Sequence, residues 1–176
     1  DVVADALGAV ARATADLVQA EDDTTVTVGT TSAIASLWLM PRLTGFRRRA
    51  PDLDIRVLAS DRDFERNSDE VDLVIEYARD PQDGTGVWRL FDEEIFPVCS
   101  PDYLSGRAAP DRVEQLSLET LLVLDDDHPD WMGWNEWLRH AGVEAGALRH
   151  PIRINSYPTL LQAAAAGEGI ALGWRH

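Results

Sequence analysis

Val26-Thr27-Val28-Gly29-Thr30-Thr31-Ser32, continuing into Ala33-Ile34-Ala35-Ser36-Leu37-Trp38-Leu39-Met40-Pro41, is the stretch on which the fold turns. Val26 and Val28 alternate with threonine, which predicts a strand. Ile34, Leu37, Trp38 and Leu43 then recur at helical spacing, so a helix follows at once. The small hydroxyls between the two runs are N-cap residues by type: they accept from the orphan amides of a first helical turn. A strand that breaks into a capped helix gathers free N–H groups and the positive end of a helix dipole at one point. Such a point suits a carboxylate or another anion.

Outward from this unit, Pro51 stops the helix, and Arg47-Arg48-Arg49 in its last turn complement the dipole. Leu53–Ala59 alternates as a second strand, residues 61–70 form a polar loop or short helix, and Val71–Tyr77 reads as a third strand. Strand and helix alternating at these lengths predict a parallel α/β unit with both sheet faces covered. Turn chemistry at 80–86 leads to extended segments at Val87–Leu90 and Glu94–Cys99, and Ser100-Pro101-Asp102 opens a short helix. A second α/β series begins there. It holds strands at Leu121–Leu124, Ile152–Asn155 and Gly169–Trp174, with helices at Trp131–His140, stopped by Gly142, and Pro158–Ala166. Residues 1–20 read as a helix, with Val3, Val10 and Leu17 repeating every seventh position and alanines filling the other seam. A helix with small residues along its seam suits pairing with a second copy.

The bulk composition narrows the function. The chain has 176 residues, 45% hydrophobic and 27% charged, with a formal net charge of -15. Direct contact with nucleic acid needs a Lys/Arg surface, so this segment is a poor candidate for touching nucleic acid directly. Cys99 is the only cysteine, which excludes an internal disulfide and fits a reducing cytoplasm. No secretory signal or membrane span is apparent; the chain begins without Met and stops after a strand-like run, as a fragment would.

Catalytic and metal chemistry find little support. Asp125-Asp126-Asp127-His128 is a solvated loop by pattern, since consecutive loop residues point in different directions and no partnering cluster follows. His128, His140, His150 and His176 lack the paired spacing of a zinc site. Cys99 has no adjacent base. Trp131, Trp134, Trp137 and Leu138 share a helix face and read as core, with Trp131 near a cleft. No cofactor and no enzyme activity are expected. What remains is a pair of hydroxyl-bearing helix starts, Thr30-Thr31-Ser32 in the first half and Ser156-Tyr157 in the second, with Ser100 at the joint. Ligands in open α/β sheets bind beyond the carboxyl ends of the strands, so these six residues are the expected contacts for a small, anionic guest held between two lobes.

Several motifs then line up in one order. Thr27–Ser32 with Trp38-Leu39-Met40-Pro41-Arg42-Leu43, Phe46 and Pro51-Asp52-Leu53 come first. They are followed by Val71–Ile75, the joint Leu90 through Pro97-Val98-Cys99-Ser100-Pro101-Asp102-Tyr103-Leu104, and Ala165-Ala166-Gly167-Glu168-Gly169-Ile170-Ala171-Leu172. Together they resemble the effector-binding domain of LysR-type transcriptional regulators, and Trp134-Asn135-Glu136-Trp137-Leu138 is similar to the glycine-cleavage-activator branch. The resemblance implies a two-lobed, periplasmic-binding-protein-like α/β fold. Its parts would be a linker and dimerisation helix at 1–22, lobe I at 23–92 and lobe II at 93–176, without the C-terminal return to lobe I. It also implies a cytoplasmic homodimer or tetramer, contacts through the helices Ile34–Arg49 and Pro158–Ala166, and DNA binding through an absent N-terminal winged helix-turn-helix. Glu76 and Ala78 depart from the family, where a basic residue and glycine are common. The runner-up is the solute-binding protein of a transport system; an enzyme using Asp126 and His128 is the third reading.

Overall fold

The computed structural model describes residues 24–61, 71–78, 86–106, 108–125, 131–144 and 151–175. The expected helix at 1–20, most of the 61–70 loop and the acidic loop beyond Asp125 lie outside those residues. The chain divides into two compact units, the first ending at Asp92 and the second starting at Glu93.

In the first unit β1 (Thr25–Thr30) is the middle strand of a parallel sheet, with β2 (Asp54–Ala59) and β3 (Leu73–Ile75) on its flanks. Val26 pairs with Ile55 and Val28 with both Val57 and Leu73. A central parallel strand is covered on both faces, and Val26 through Thr30 are all buried. Even the threonines are inside: the Thr30 hydroxyl, 1% exposed, donates to the Ile75 carbonyl at 2.7 Å. The Thr27 amide donates to the Asp72 carboxylate at 2.7 Å, which pins the start of β3 to β1. The core gathers Val26, Val28, Trp38 and Leu39, with Phe91 tilted on the Trp38 ring at 5.6 Å between centroids.

The helix after β1 runs from 32 to 49, as the sequence pattern predicts, but not as one regular coil. Ile34–Leu39 is π-helical, with the Met40 amide reaching back to the Ala35 carbonyl, and α1 (Met40–Arg49) is α-helical. Pro41 supplies the reason. It has no N–H to donate, and its ring collides with the carbonyl four residues earlier in an α-helix. A wider turn relieves the collision. Side chains then take up neighbouring carbonyls: Ser36 Oγ donates to Ser32 at 2.7 Å and Arg42 Nη1 to Trp38 at 2.8 Å. The Arg42 guanidinium also lies over the Trp38 ring, 4.8 Å from its centroid. Leu37 shares the helical spacing of Ile34 and Trp38 in the sequence, yet it is 42% exposed, and Met40 is 43% exposed.

In the second unit β4 (Ile95–Val98) is antiparallel to β7 (Ala171–Trp174), and β5 (Leu122–Leu124) is parallel to β6 (Ile152–Ile154). A parallel bridge between Leu121 and Ile170 joins the two pairs. α2 (Trp134–His140) begins three residues later than the aromatic pattern suggests, because Gly133 is extended at φ -91° and ψ 170°. Gly142 stops it as expected, at φ +81°, with its amide on the Arg139 carbonyl and the Val143 amide on Leu138. α3 (Tyr157–Ala165) ends in the same way at Gly167, φ +88°. Leu116, Leu121, Trp134 and Ile170 form the core here.

Candidate functional site

The first hydroxyl cluster lies where β1 passes into the helix. Thr31 is the working cap: its Oγ1 accepts from the Ile34 amide at 3.3 Å, and its carbonyl takes the Ala35 amide at 2.9 Å. Ser32 is half-buried, and its amide donates to Asp61 Oδ1 at 2.9 Å. A carboxylate therefore already occupies one of the free amides at this helix start. Thr30 stands just behind with its hydroxyl committed to Ile75, so it braces the site from the sheet.

In the second unit Ser156 is the N-cap of α3, in extended geometry, and its carbonyl accepts the Leu160 amide at 2.9 Å. Its hydroxyl accepts from Thr159 Oγ1 at 3.0 Å. Tyr157 is buried, donates to the Leu172 carbonyl at 3.0 Å, and stacks at 4.2 Å on the Trp174 ring. Ser100 is buried as well; its hydroxyl accepts the Tyr103 amide at 3.2 Å, and its amide donates to Ala164 at the end of α3. Thr30, Thr31 and Ser32 thus come together in the first unit. Ser100, Ser156 and Tyr157 belong to the second, where α3 has Tyr157 in its first turn and Ala164, which binds Ser100, near its other end.

Sequence reasoning missed two features. Asp61 stands 29 positions after the amide it binds, at the far end of β2, and no local motif marks it. The second is a hollow of ≈ 40 Å³ in the second unit, walled by Trp131, Trp134, Tyr157 and Trp174 among other residues. The aromatic spacing gave only a hint of it. Among the described residues no group of three His, Cys, Asp or Glu gathers as a metal set, and no helix is long and apolar enough to cross a membrane.

Burial pushes the Tyr157 phenol well above its ordinary value; a backbone hydrogen bond from Trp174 opposes this in part, and the nearby Glu93 charge adds to it. Ionisation is therefore harder in the folded chain than in the unfolded one. The stability this contributes is full below the unfolded value of about 10 and falls as pH rises beyond it. Thermal melts between pH 9 and 11 should fall more steeply for the wild type than for Tyr157→Phe. At neutral pH that variant should be weaker by about 1 kcal/mol, from the lost hydrogen bond.

A family described as the LysR substrate binding domain matches residues 19–176. The glycine cleavage system transcriptional activator of Escherichia coli K12 is 37% identical over 149 residues, 84% of this chain and 47% of that protein. The HTH-type transcriptional regulator DsdC of the same strain is 32% identical over 134 residues, covering 73% of this chain and 42% of the relative. The chain spans about half the length of the relatives it matches. Among solved structures, the effector domain of the transcriptional regulator AmpR of Pseudomonas aeruginosa aligns at a TM-score of 0.61 and 27% identity, over 86% of this chain and 70% of that one. CrgA of Neisseria meningitidis, a LysR-type regulator, shares the fold at a TM-score of 0.66 and 17% identity, over 93% of this chain and 55% of that one. With the α/β units described above and a match over nearly its whole length, this chain belongs to the LysR substrate-binding domain family and has the periplasmic-binding-protein-like fold of LysR effector domains.

Proposed function

We propose that the chain is the effector-sensing part of a cytoplasmic, DNA-binding transcriptional regulator, and that it is not an enzyme. The effector is a small anion received at the start of the helix that follows β1. The carrying observation is the Asp61 carboxylate on the Ser32 amide, 2.9 Å away. This helix start holds a carboxylate of the chain itself, in keeping with its dipole. The Thr31 and Ser32 hydroxyls with the amides beyond them are the proposed lobe I contacts, Thr30 their support. In the second unit Ser156 is the proposed donor, with Ser100 and Tyr157 framing the helix that carries it. Effector binding acts by shifting a population between regulator states. DNA is read by a winged helix-turn-helix elsewhere in the protein, which works as a homodimer or tetramer. The faces offered to a second copy are the exposed Leu37 and Met40 side of one helix and the outer side of α3.

The test is a thermal-shift screen of amino acids and aromatic acids on the full-length protein, repeated on Ser32→Glu. A ligand at a hundred times its Kd should stabilise the wild type by about 2.7 kcal/mol. The glutamate variant sets a second fixed carboxylate at the same amides, so it should lose both this shift and the transcriptional response. A retained response overturns the assignment. Replacing Leu37 and Met40 with Glu should move the full-length protein toward monomer in sedimentation, whereas an unchanged mass would remove this face from the assembly.

A further inference from the structure

The end of α1 carries more positive charge than a helix end needs. Between Thr24 and Pro51 the sequence has Arg42, Arg47, Arg48 and Arg49 and no Asp or Glu, in a chain of net charge -15. A helix C-terminus presents about half a negative charge, so a single cation complements it. Arg47, Arg48 and Arg49 all fall in the last turn and leave a surplus of about two and a half positive charges. All three are exposed, and among the described residues none of them has an ion pair or hydrogen bond. Asp52 and Asp54, the next carboxylates along the chain, leave them unpaired too.

Thr44 precedes Arg47 and Arg48 by three and four residues, so the three side chains share one face of α1. That face is turned away from the buried Phe46. With Pro51 they line an open groove at the end of the helix. The Thr44 hydroxyl has no partner among the described residues either. Arg49 lies about 100° further round the helix and takes no part in the lining. The groove therefore gathers two guanidinium forks, which only donate, and a hydroxyl free to donate. A carboxylate would offset one of these charges. A phosphate group carries about -1.5 to -2 and three acceptor oxygens, and arginine forks match it two bonds at a time. We propose that Thr44, Arg47 and Arg48 form a binding site for a phosphate group, either the free ion or one borne by a small molecule. It is separate from the anion site proposed at Ser32, which lies at the other end of the same helix, and it stands or falls without it.

The test takes the full-length protein, with inorganic phosphate and methyl phosphate as probes and acetate as control, at constant ionic strength. Binding is read from the phosphorus NMR line of the phosphates and the methyl line of acetate. Both phosphates should bind at least about tenfold more tightly than acetate. Arg47→Gln and Arg48→Gln should each weaken them about tenfold, and Arg49→Gln less than about twofold. Lysine at 47 and 48 keeps the charge but loses the fork, so it should weaken binding about threefold; it decides the matter if glutamine disturbs the helix. Lowering the pH from about 7 to about 5 removes the second charge of methyl phosphate while arginine keeps its own, so its affinity should fall. Inorganic phosphate binding at least as well as methyl phosphate assigns the site to the free ion. Tighter methyl phosphate assigns it to a phosphorylated small molecule, and either result supports the site. Ser32→Glu should leave phosphate binding unchanged; if it abolishes binding, the phosphate sits at the other helix end and the proposal falls. Phosphates no tighter than acetate overturn it, as does a loss in Arg49→Gln equal to that in Arg47→Gln and Arg48→Gln.

Discussion

Trp134→Ala should destabilise the second unit by about 3–5 kcal/mol, the range for truncating a buried large aromatic. Trp134 is 3% exposed, sits in the core with Leu121 and Ile170, and meets the Trp137 ring edge-on at 6.0 Å. Its Nε1 is also the donor to the Leu122 carbonyl. Removing it opens a cavity and leaves that carbonyl without the partner, two losses in one substitution. Since whole domains are stable by only about 5–15 kcal/mol, the unit should be largely unfolded at modest urea. Circular dichroism during a urea titration measures this. Trp134→Phe, which keeps most of the apolar area, should recover most of the loss, and an equal loss in both variants would shift the weight from packing to the hydrogen bond.

Gly169→Ala should come close behind, through overpacking, at about 1–3 kcal/mol or more. A methyl group at this position would lie 2.6 Å from the Thr120 carbonyl oxygen and 3.2 Å from the Leu122 side chain. The oxygen is main chain and cannot swing aside. It also accepts the Ile170 amide at 2.9 Å, next to the Leu121–Ile170 bridge. The strain therefore falls on the seam of the sheet. The expected result is a lower melting temperature with earlier amide exchange at Ile170 and Leu122 than in β4. Unchanged exchange at the seam would count against it.

Much of this architecture can be read from residues near one another in the chain. Val26 and Val28 announce the strand, Thr31 the cap, and Gly142 the helix stop, because each acts over a turn or less. Gly167 follows the same rule at the end of α3. What escapes the reading is longer in range. The Asp61 carboxylate reaches Ser32 only after β2 has paired with β1. Thr30 reads as a free donor, yet pairing with β3 turns its hydroxyl inward to Ile75. Tyr157 likewise carries a hydroxyl whose partner, Leu172, is set by the strand beside it. The hollow in the second unit is assembled from several segments, so no single window of sequence displays it.

The wide turn at Ile34–Leu39 bears on which lengths of chain this fold accepts. Bonding from each residue to the fifth behind it, in place of the fourth, stores one residue more than an ordinary turn needs. A chain shorter by one position between Ser32 and Met40 would close that turn with standard spacing and leave everything from Met40 onward in register, with the Pro41 collision as the local cost. The same deletion inside α1 would instead rotate the rest of the helix by about 100° and turn Phe46 out of the interior. Single-residue gaps should thus be better tolerated in the first part of this helix than in the second.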